Sequence, residues 1–478
     1  MTTPTPHPTI AHIAKQVYGR HALYREPAIR HRRFKHRDLV PLLQRLAQNP
    51  LFEVQVAGQS VEQRDIYLVK AGTGKTKVML WSQMHGDEPT ATMALLDLFH
   101  FLQQADELDP IREHILQNTT LYIVPMLNPD GAEVFKRRNA LHIDLNRDAL
   151  QLQSPEARLL KSLRDSLSPE FGFNLHDQSR YYTVGTTPKP ATISFLAPAF
   201  DHAQTVNEVR GRAMRTIVGM NEALQEIIPG QVAKFSDEHE PRAFGDNIQK
   251  WGTSVILIES GGHHGDPEKQ YIRQLNFTSI VSALHLIGSQ GYNHYNLHEY
   301  YNIPQNERYL FDLVIRRVRY RQNGQNTLLD IGIVRDEVEA SNHKGFYHIS
   351  SVQEIGDMSV FYGYEELEGS ELILEPGRVY EKAFSTIEDL TGEQTLQLLA
   401  EGYTTVRVEQ LPPPDMNLLE LPLNTVHAAG AVSHNLALES GANFVLREES
   451  GQVRYVILNG FVYDLTQERP ELFHGLLH

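Results

Sequence analysis

From Lys77 to about residue 290, apolar runs of strand length alternate with stretches of helical spacing, and no other feature narrows the fold as far. The strand-like runs include "KVMLW", "TTLYIVPML", "FGFNLHDQ" and "TSVILIES". Helix-like are "ATMALLDLFHFLQQ", "SPEARLLKSLRDSL", a long stretch from about Asn207 to Ile228, and "IRQLNFTSIVSALHLIG". Strands that are apolar along their whole length, instead of on alternate residues, are covered on both faces. Strand and helix in alternation then mean an α/β fold: a doubly wound, mixed, mostly parallel sheet with helices on both faces. Upstream, "RDLVPLLQRLAQNP" reads as a helix, and "FEVQVAGQS" and "RDIYLVKAG" read as strands. The stretch "AGTGKTKV" is a Gly-rich turn and not a phosphate loop, because the first glycine of that motif would fall at Val69.

From about Arg308 the texture changes. "YLFDLVIRRVRYRQNGQN", "KGFYHISS", "SELILEPGRVY" and "ANFVLREESGQVRYVILNGFVYDL" read as strands and hairpins, with helical spacing only around "TGEQTLQLLAEG". At 478 residues the chain exceeds one core. Two domains are expected: residues 1–299, and a β-rich domain of residues 306–478 whose role the sequence leaves open.

Several classes of function are excluded by composition. A formal net charge of −15 argues against a nucleic-acid binder, which must neutralise phosphates. The basic run "RHRRFKHR" (Arg30 to Arg37) reads as a solvated approach to a helix. The absence of cysteine removes disulfides, thiolate metal sites and a thiol nucleophile. Any metal must be held by His, Asp or Glu. No signal-peptide pattern opens "MTTPTPHPTIAHIAKQVYGRH" and no run reaches membrane-spanning length, so a cytoplasmic protein without a membrane partner is expected.

Four of the core strands end in polar clusters. "VMLWSQM" ends in His85, Gly86, Asp87 and Glu88; "LYIVPML" ends in Asn128, Pro129, Asp130 and Gly131; "FGFNL" ends in His176, Asp177 and Gln178; "SVILI" ends in Glu259. In open α/β sheets the site lies beyond the carboxyl ends of the strands. Two His and one carboxylate, with a fourth position left to water, form a common catalytic zinc set. His85, Glu88 and His176 supply it, one zinc per chain, and zinc brings the pKa of a bound water to about 7. Glu259 is then placed to act as general base and acid.

With these residues in hand, the first three hundred positions resemble the zinc carboxypeptidases of the M14 (carboxypeptidase A-like) family. "HGDEP" is one match. "GQSVEQRDI" resembles the family's G-x-S-x-x-x-R segment, and "NPDGAEVFKRRNALHIDLNRDA" its NPDG, R-x-N and D-L-N-R. "LHDQ" and "ILIESGG" resemble the strands of the third ligand and the catalytic glutamate. The resemblance implies that Asp144 fixes the His85 tautomer, that Arg137 polarises the scissile carbonyl, and that Asn146 and Arg147 hold the substrate's terminal carboxylate. It implies a peptide or N-acyl amino acid substrate with a free carboxylate.

There are two departures from the family pattern. No tyrosine stands between Ile227 and Ile258, where digestive members carry one; Phe235, Phe244 and Trp251 are the aromatics there, and Tyr181 or Tyr182 is a candidate replacement. The usual glycine of R-x-N-x-x-G is His142. Arg242 and Asp246 are candidates for selecting a charged side chain, set against a reading as solvated loop charges. The expected activity is zinc-dependent hydrolysis of a C-terminal amide bond. An N-acyl amino acid deacylase or murein-peptide amidase on the same scaffold is the alternative, with a catalytically dead peptide binder behind it. Whether the chain forms homo-oligomers is left open.

Overall fold

A computed structural model of the chain describes residues 9–340, 345–412, 422–467 and 474–477. Residues 1–8, on which part of the expectation of no leader rests, lie outside the described residues, as does Lys344 at the head of one expected strand. The chain divides into two compact units, Met1–Arg308 and Tyr309–His478.

In the first unit nine strands precede residue 261: β1 (Phe52–Gln59), β2 (Asp65–Ala71), β3 (Thr76–Ser82), β4 (Thr119–Val124), β5 (Phe171–Asp177), β6 (Tyr182–Val184), β7 (Ile193–Leu196), β8 (Val232–Lys234) and β9 (Ser254–Ser260). Eight of them form one sheet in the order β1-β2-β4-β3-β5-β9-β7-β8. The central four, β4, β3, β5 and β9, run parallel. Antiparallel pairs β1/β2, β2/β4 and β7/β9 make the flanks mixed. β6 instead pairs with a tenth strand, β10 (Asn306–Arg308).

Helices α1 (Ile10–Tyr24), α2 (His36–Leu46), α3 (Thr90–Gln103), α4 (Asp109–Asn118), α5 (Pro129–Glu133), α6 (Pro155–Leu167), α7 (Glu208–Gln225), α8 (Phe244–Lys250), α9 (Gln270–Gly288) and α10 (Glu299–Asn302) complete this unit. Successive strand residues face opposite ways. Val78 and Leu80 of β3 therefore join the larger core, with α1, α3, α7 and α9, while Met79 and Trp81 join a second core with α6 and α8. Both faces need apolar residues, which is why the strand reads as an unbroken apolar run. Gly172 of β5 leaves room for the Trp81 indole; a Cβ there would lie 3.0 Å from the ring.

The second unit holds an eight-stranded sheet: β11 (Leu310–Gln322), β12 (Gln325–Glu339), β13 (Phe346–Gly356), β14 (Tyr362–Glu368), β15 (Ile373–Pro376), and β19 (Phe444–Arg447), β20 (Val453–Leu458) and β21 (Phe461–Asp464). A separate parallel trio is formed by β16 (Arg378–Phe384), β17 (Tyr403–Val408) and β18 (Asn424–His427), with α11 (Gly392–Glu401) between its first two members. The arginines that crowd β11 meet acids: Arg316 pairs with Glu366, Arg317 with Glu368 and Arg319 with Glu449.

Candidate metal centre

The parallel centre of the sheet delivers the site. β3 runs into the loop that carries His85 and Glu88. β5 ends on His176 and Asp177, and β9 carries Glu259 directly beside His176, because the two are register partners. Partners in a parallel pair lie on the same face, so the imidazole and the carboxylate emerge together. The turn after β3 needs Gly86, where a Cβ would fall 2.0 Å from the Gly131 carbonyl carbon. On the other side of that contact, Asn128 caps α5 by accepting from Gly131 N at 2.9 Å and donates to Met84 O at 3.2 Å and Arg137 O at 3.3 Å.

His85 Nδ1 lies 2.8 Å from Glu88 Oε1, and His176 Nδ1 lies 2.7 Å from Glu88 Oε2. Ligand atoms of the three residues all fall within 4.8 Å of one another, and no other group of described His, Asp and Glu side chains does so. His85 Nε2 donates to Asp144 Oδ1 at 3.0 Å, so a metal would take the ring through Nδ1. Arg137 Nη1 stands 3.1 Å from that nitrogen and 3.2 Å from Glu88 Oε1, so both atoms already face positive charge. Two imidazoles and one carboxylate, buried and turned to a cation, fit a zinc ion.

Burial opposes a charged His85, but Glu88 and the Asp144 hydrogen bond outweigh it and push the imidazole up to about 9. For His176 burial prevails over Glu88 and lowers it. Glu259 is raised well above the usual carboxylate range, first by burial and then by the charges of Glu88 and Asp177. Its carboxylate accepts no hydrogen bond from the described residues. Asp177 is itself compensated: Thr90 Oγ1 donates to Oδ2 at 2.6 Å and Lys269 Nζ stands 3.1 Å away.

Arg137 reaches Asp144 as well, Nε to Oδ2 at 3.0 Å. Burial works against the charged Asp144, yet His85 and Arg137 hold it well below the usual carboxylate range. Next along the chain, Asn146 Oδ1 accepts from Phe244 N at 2.9 Å. The half-exposed Arg147 guanidinium sits with Nε 3.0 Å from Glu240 Oε2 and donates from Nη1 to Asn146 O at 2.8 Å.

The departures noted in the sequence have structural outcomes. His142 adopts φ 60°, the left-handed region that favours glycine, at a turn built on Asn139. The Tyr181 ring is covered by the guanidiniums of Arg180 and Arg308, and Tyr182 packs against Phe235. Asp246 is buried and accepts from Glu240 N and His239 Nδ1, both at 3.0 Å, so it builds the loop instead of facing a ligand. Arg242 spends its guanidinium on Glu240. The basic run is not purely solvated either: Lys35 Nζ donates to Glu133 O at 2.7 Å and Arg33 lies over Phe135, bracing the turn that leads to Arg137. Lys269 and Glu240 were not among the expected site residues; lone charges in loops carry no spacing signal.

Residues 40–167 match the sequence profile described as zinc carboxypeptidase. That span includes His85, Glu88, Arg137, Asp144, Asn146 and Arg147 and stops before His176 and Glu259. Carboxypeptidase SOL1 of Arabidopsis thaliana is 39% identical over 138 residues, covering 24% of this chain and 28% of that protein. Carboxypeptidase M of Mus musculus is 28% identical over 135 residues, covering 24% of this chain and 30% of that protein. The chain thus spans less than a third of the length of these relatives. Among solved structures, a metallo-carboxypeptidase from Burkholderia cenocepacia aligns at 18% identity and TM-score 0.45, over 54% of this chain and 70% of that one.

Proposed function

We propose that this chain, a member of the zinc carboxypeptidase family M14, removes the C-terminal residue of a peptide by zinc-dependent hydrolysis. The observation that carries the reading is the convergence of His85, Glu88 and His176 with Glu259 alongside, a three-ligand set next to a buried carboxylate that accepts no hydrogen bond from the described residues. A dead binder has no use for that carboxylate.

A zinc held there by His85, Glu88 and His176 supplies Lewis-acid chemistry and a water that ionises near neutral pH. The remaining work falls to the protein. Glu259 takes a proton from the attacking water at its carboxylate and returns it to the leaving nitrogen. Arg137, charged and within reach of the ligand atoms, is suited to stabilise the oxyanion. Asp144 keeps the proton of His85 on Nε2. Asn146 and Arg147 offer amide and guanidinium donors to a terminal carboxylate.

The test is Glu259→Gln. It is expected to keep its zinc and its fold while turnover falls by about a hundred- to ten-thousand-fold, the range for one general acid–base group. Metal analysis beside a peptidase assay reads both. Unchanged turnover removes Glu259 from the reaction.

A further inference from the structure

Glu240 presents an anion to the guanidinium that, on the reading above, must receive an anionic substrate terminus. The loop it stands on is fixed, because Asp246 Oδ1 accepts from Glu240 N at 3.0 Å. Its carboxylate is fixed too. Oε1 accepts from Arg242 N at 3.1 Å and Arg242 Nε at 3.0 Å, and Oε2 accepts from Arg242 Nη2 at 2.9 Å. The Arg147 guanidinium pairs with this clamped carboxylate, its Nε 3.0 Å from Oε2. Its Nη1 is tied back to the Asn146 carbonyl, so two contacts hold the planar group of this exposed side chain. A guanidinium held in place in this way can grip a carboxylate with two parallel bonds.

The charges support the same arrangement. Two arginines and one glutamate leave a single positive charge on the cluster, enough for one carboxylate. Without Arg242, Glu240 would repel the incoming anion; with it, Glu240 is already neutralised through both of its carboxylate oxygens. We infer that Glu240, clamped by Arg242, is the positioning residue of Arg147: it holds the guanidinium in place for the terminal carboxylate of the substrate.

The inference rests on the terminal-carboxylate reading of Arg147, and the experiment separates the two. Wild type, Glu240→Gln, Arg147→Ala and the double variant, each zinc-loaded, are assayed on an N-blocked dipeptide with a free carboxylate and on its amidated counterpart. Glu240→Gln is expected to raise KM for the free acid about two- to five-fold, the scale of a partly exposed ion pair. It should leave kcat and the amidated substrate unchanged, and have no further effect in the Arg147→Ala background. An unchanged or lowered KM, or an equal effect without Arg147, overturns the assignment of Glu240 while Arg147 keeps its role. If Arg147→Ala itself leaves the preference for the free acid intact, the terminal-carboxylate reading falls and the assignment falls with it.

Discussion

Asp246 shows how a buried charge can serve geometry at a cost that depends on pH. Burial pushes its carboxyl up to about 6, against the bonds it accepts from Glu240 N and His239. A raised native pKa means that the folded protein holds this proton more tightly than the unfolded chain does. The stability gained from it is full below about pH 4 and is lost as pH rises through about 6. Asp246→Asn keeps an oxygen acceptor and cannot ionise. At pH 8 it is therefore expected to gain up to about 3 kcal/mol relative to wild type, with the gain vanishing near pH 4. Melting temperatures of both proteins at the two pH values check this, and a difference independent of pH would contradict it. Residues of this kind are poorly legible in a sequence. His85, Glu88, His176 and Glu259 stand out because each follows an apolar strand, whereas Asp246 and Glu240 sit in the loop "DEHEPRAFGD", where one charge looks like another.

At the scale of elements, the first unit is tied together by one buried ionic cluster. Asp97 of α3 accepts from Arg273 of α9 and lies 2.7 Å from His21 Nε2 of α1, and its Oδ1 also accepts from Glu26 N at 2.8 Å. Asp97 and Arg273 are both fully buried. Asp97→Ala would strand Arg273 without its partner, which costs about 3–5 kcal/mol in buried pairs. Chemical denaturation is expected to show that loss, and a change under about 1 kcal/mol would mean that solvent replaces the carboxylate. The helices α3, α6, α7 and α9 were legible from spacing, and the parallel centre of the sheet from its apolar runs. Helix α1 was not: its buried face includes Ala14, His21 and Tyr24, so its apolar period is blurred. Strands β7 and β8, of four and three residues, are too short to show any period.

Across the whole molecule, the first unit ends at Arg308 and includes β10. Asn306 Nδ2 donates to Gln178 Oε1 at 2.8 Å, and Thr183 Oγ1 to Glu307 O at 3.0 Å. A chain ended after Arg308 is expected to fold and bind one zinc, since both cores around the large sheet lie within it. A soluble product with cooperative unfolding and one bound zinc would bear this out; an insoluble product would show that this unit needs Tyr309–His478. The pairing inside that second unit was beyond sequence reading, because β11 takes β14 and β15 as parallel neighbours from about fifty residues away, and no local pattern encodes such partners. The measurement that bears most directly on the proposed activity is mass spectrometry of one N-blocked peptide, incubated with the zinc-loaded protein as free acid and as C-terminal amide. Single-residue loss from the free acid is expected, with kcat/KM for the amide lower by about ten-fold or more, because a hydrogen bond to a charged group contributes about 1.5–3 kcal/mol. Equal rates on the two peptides, or cuts within the chain, would contradict a carboxypeptidase.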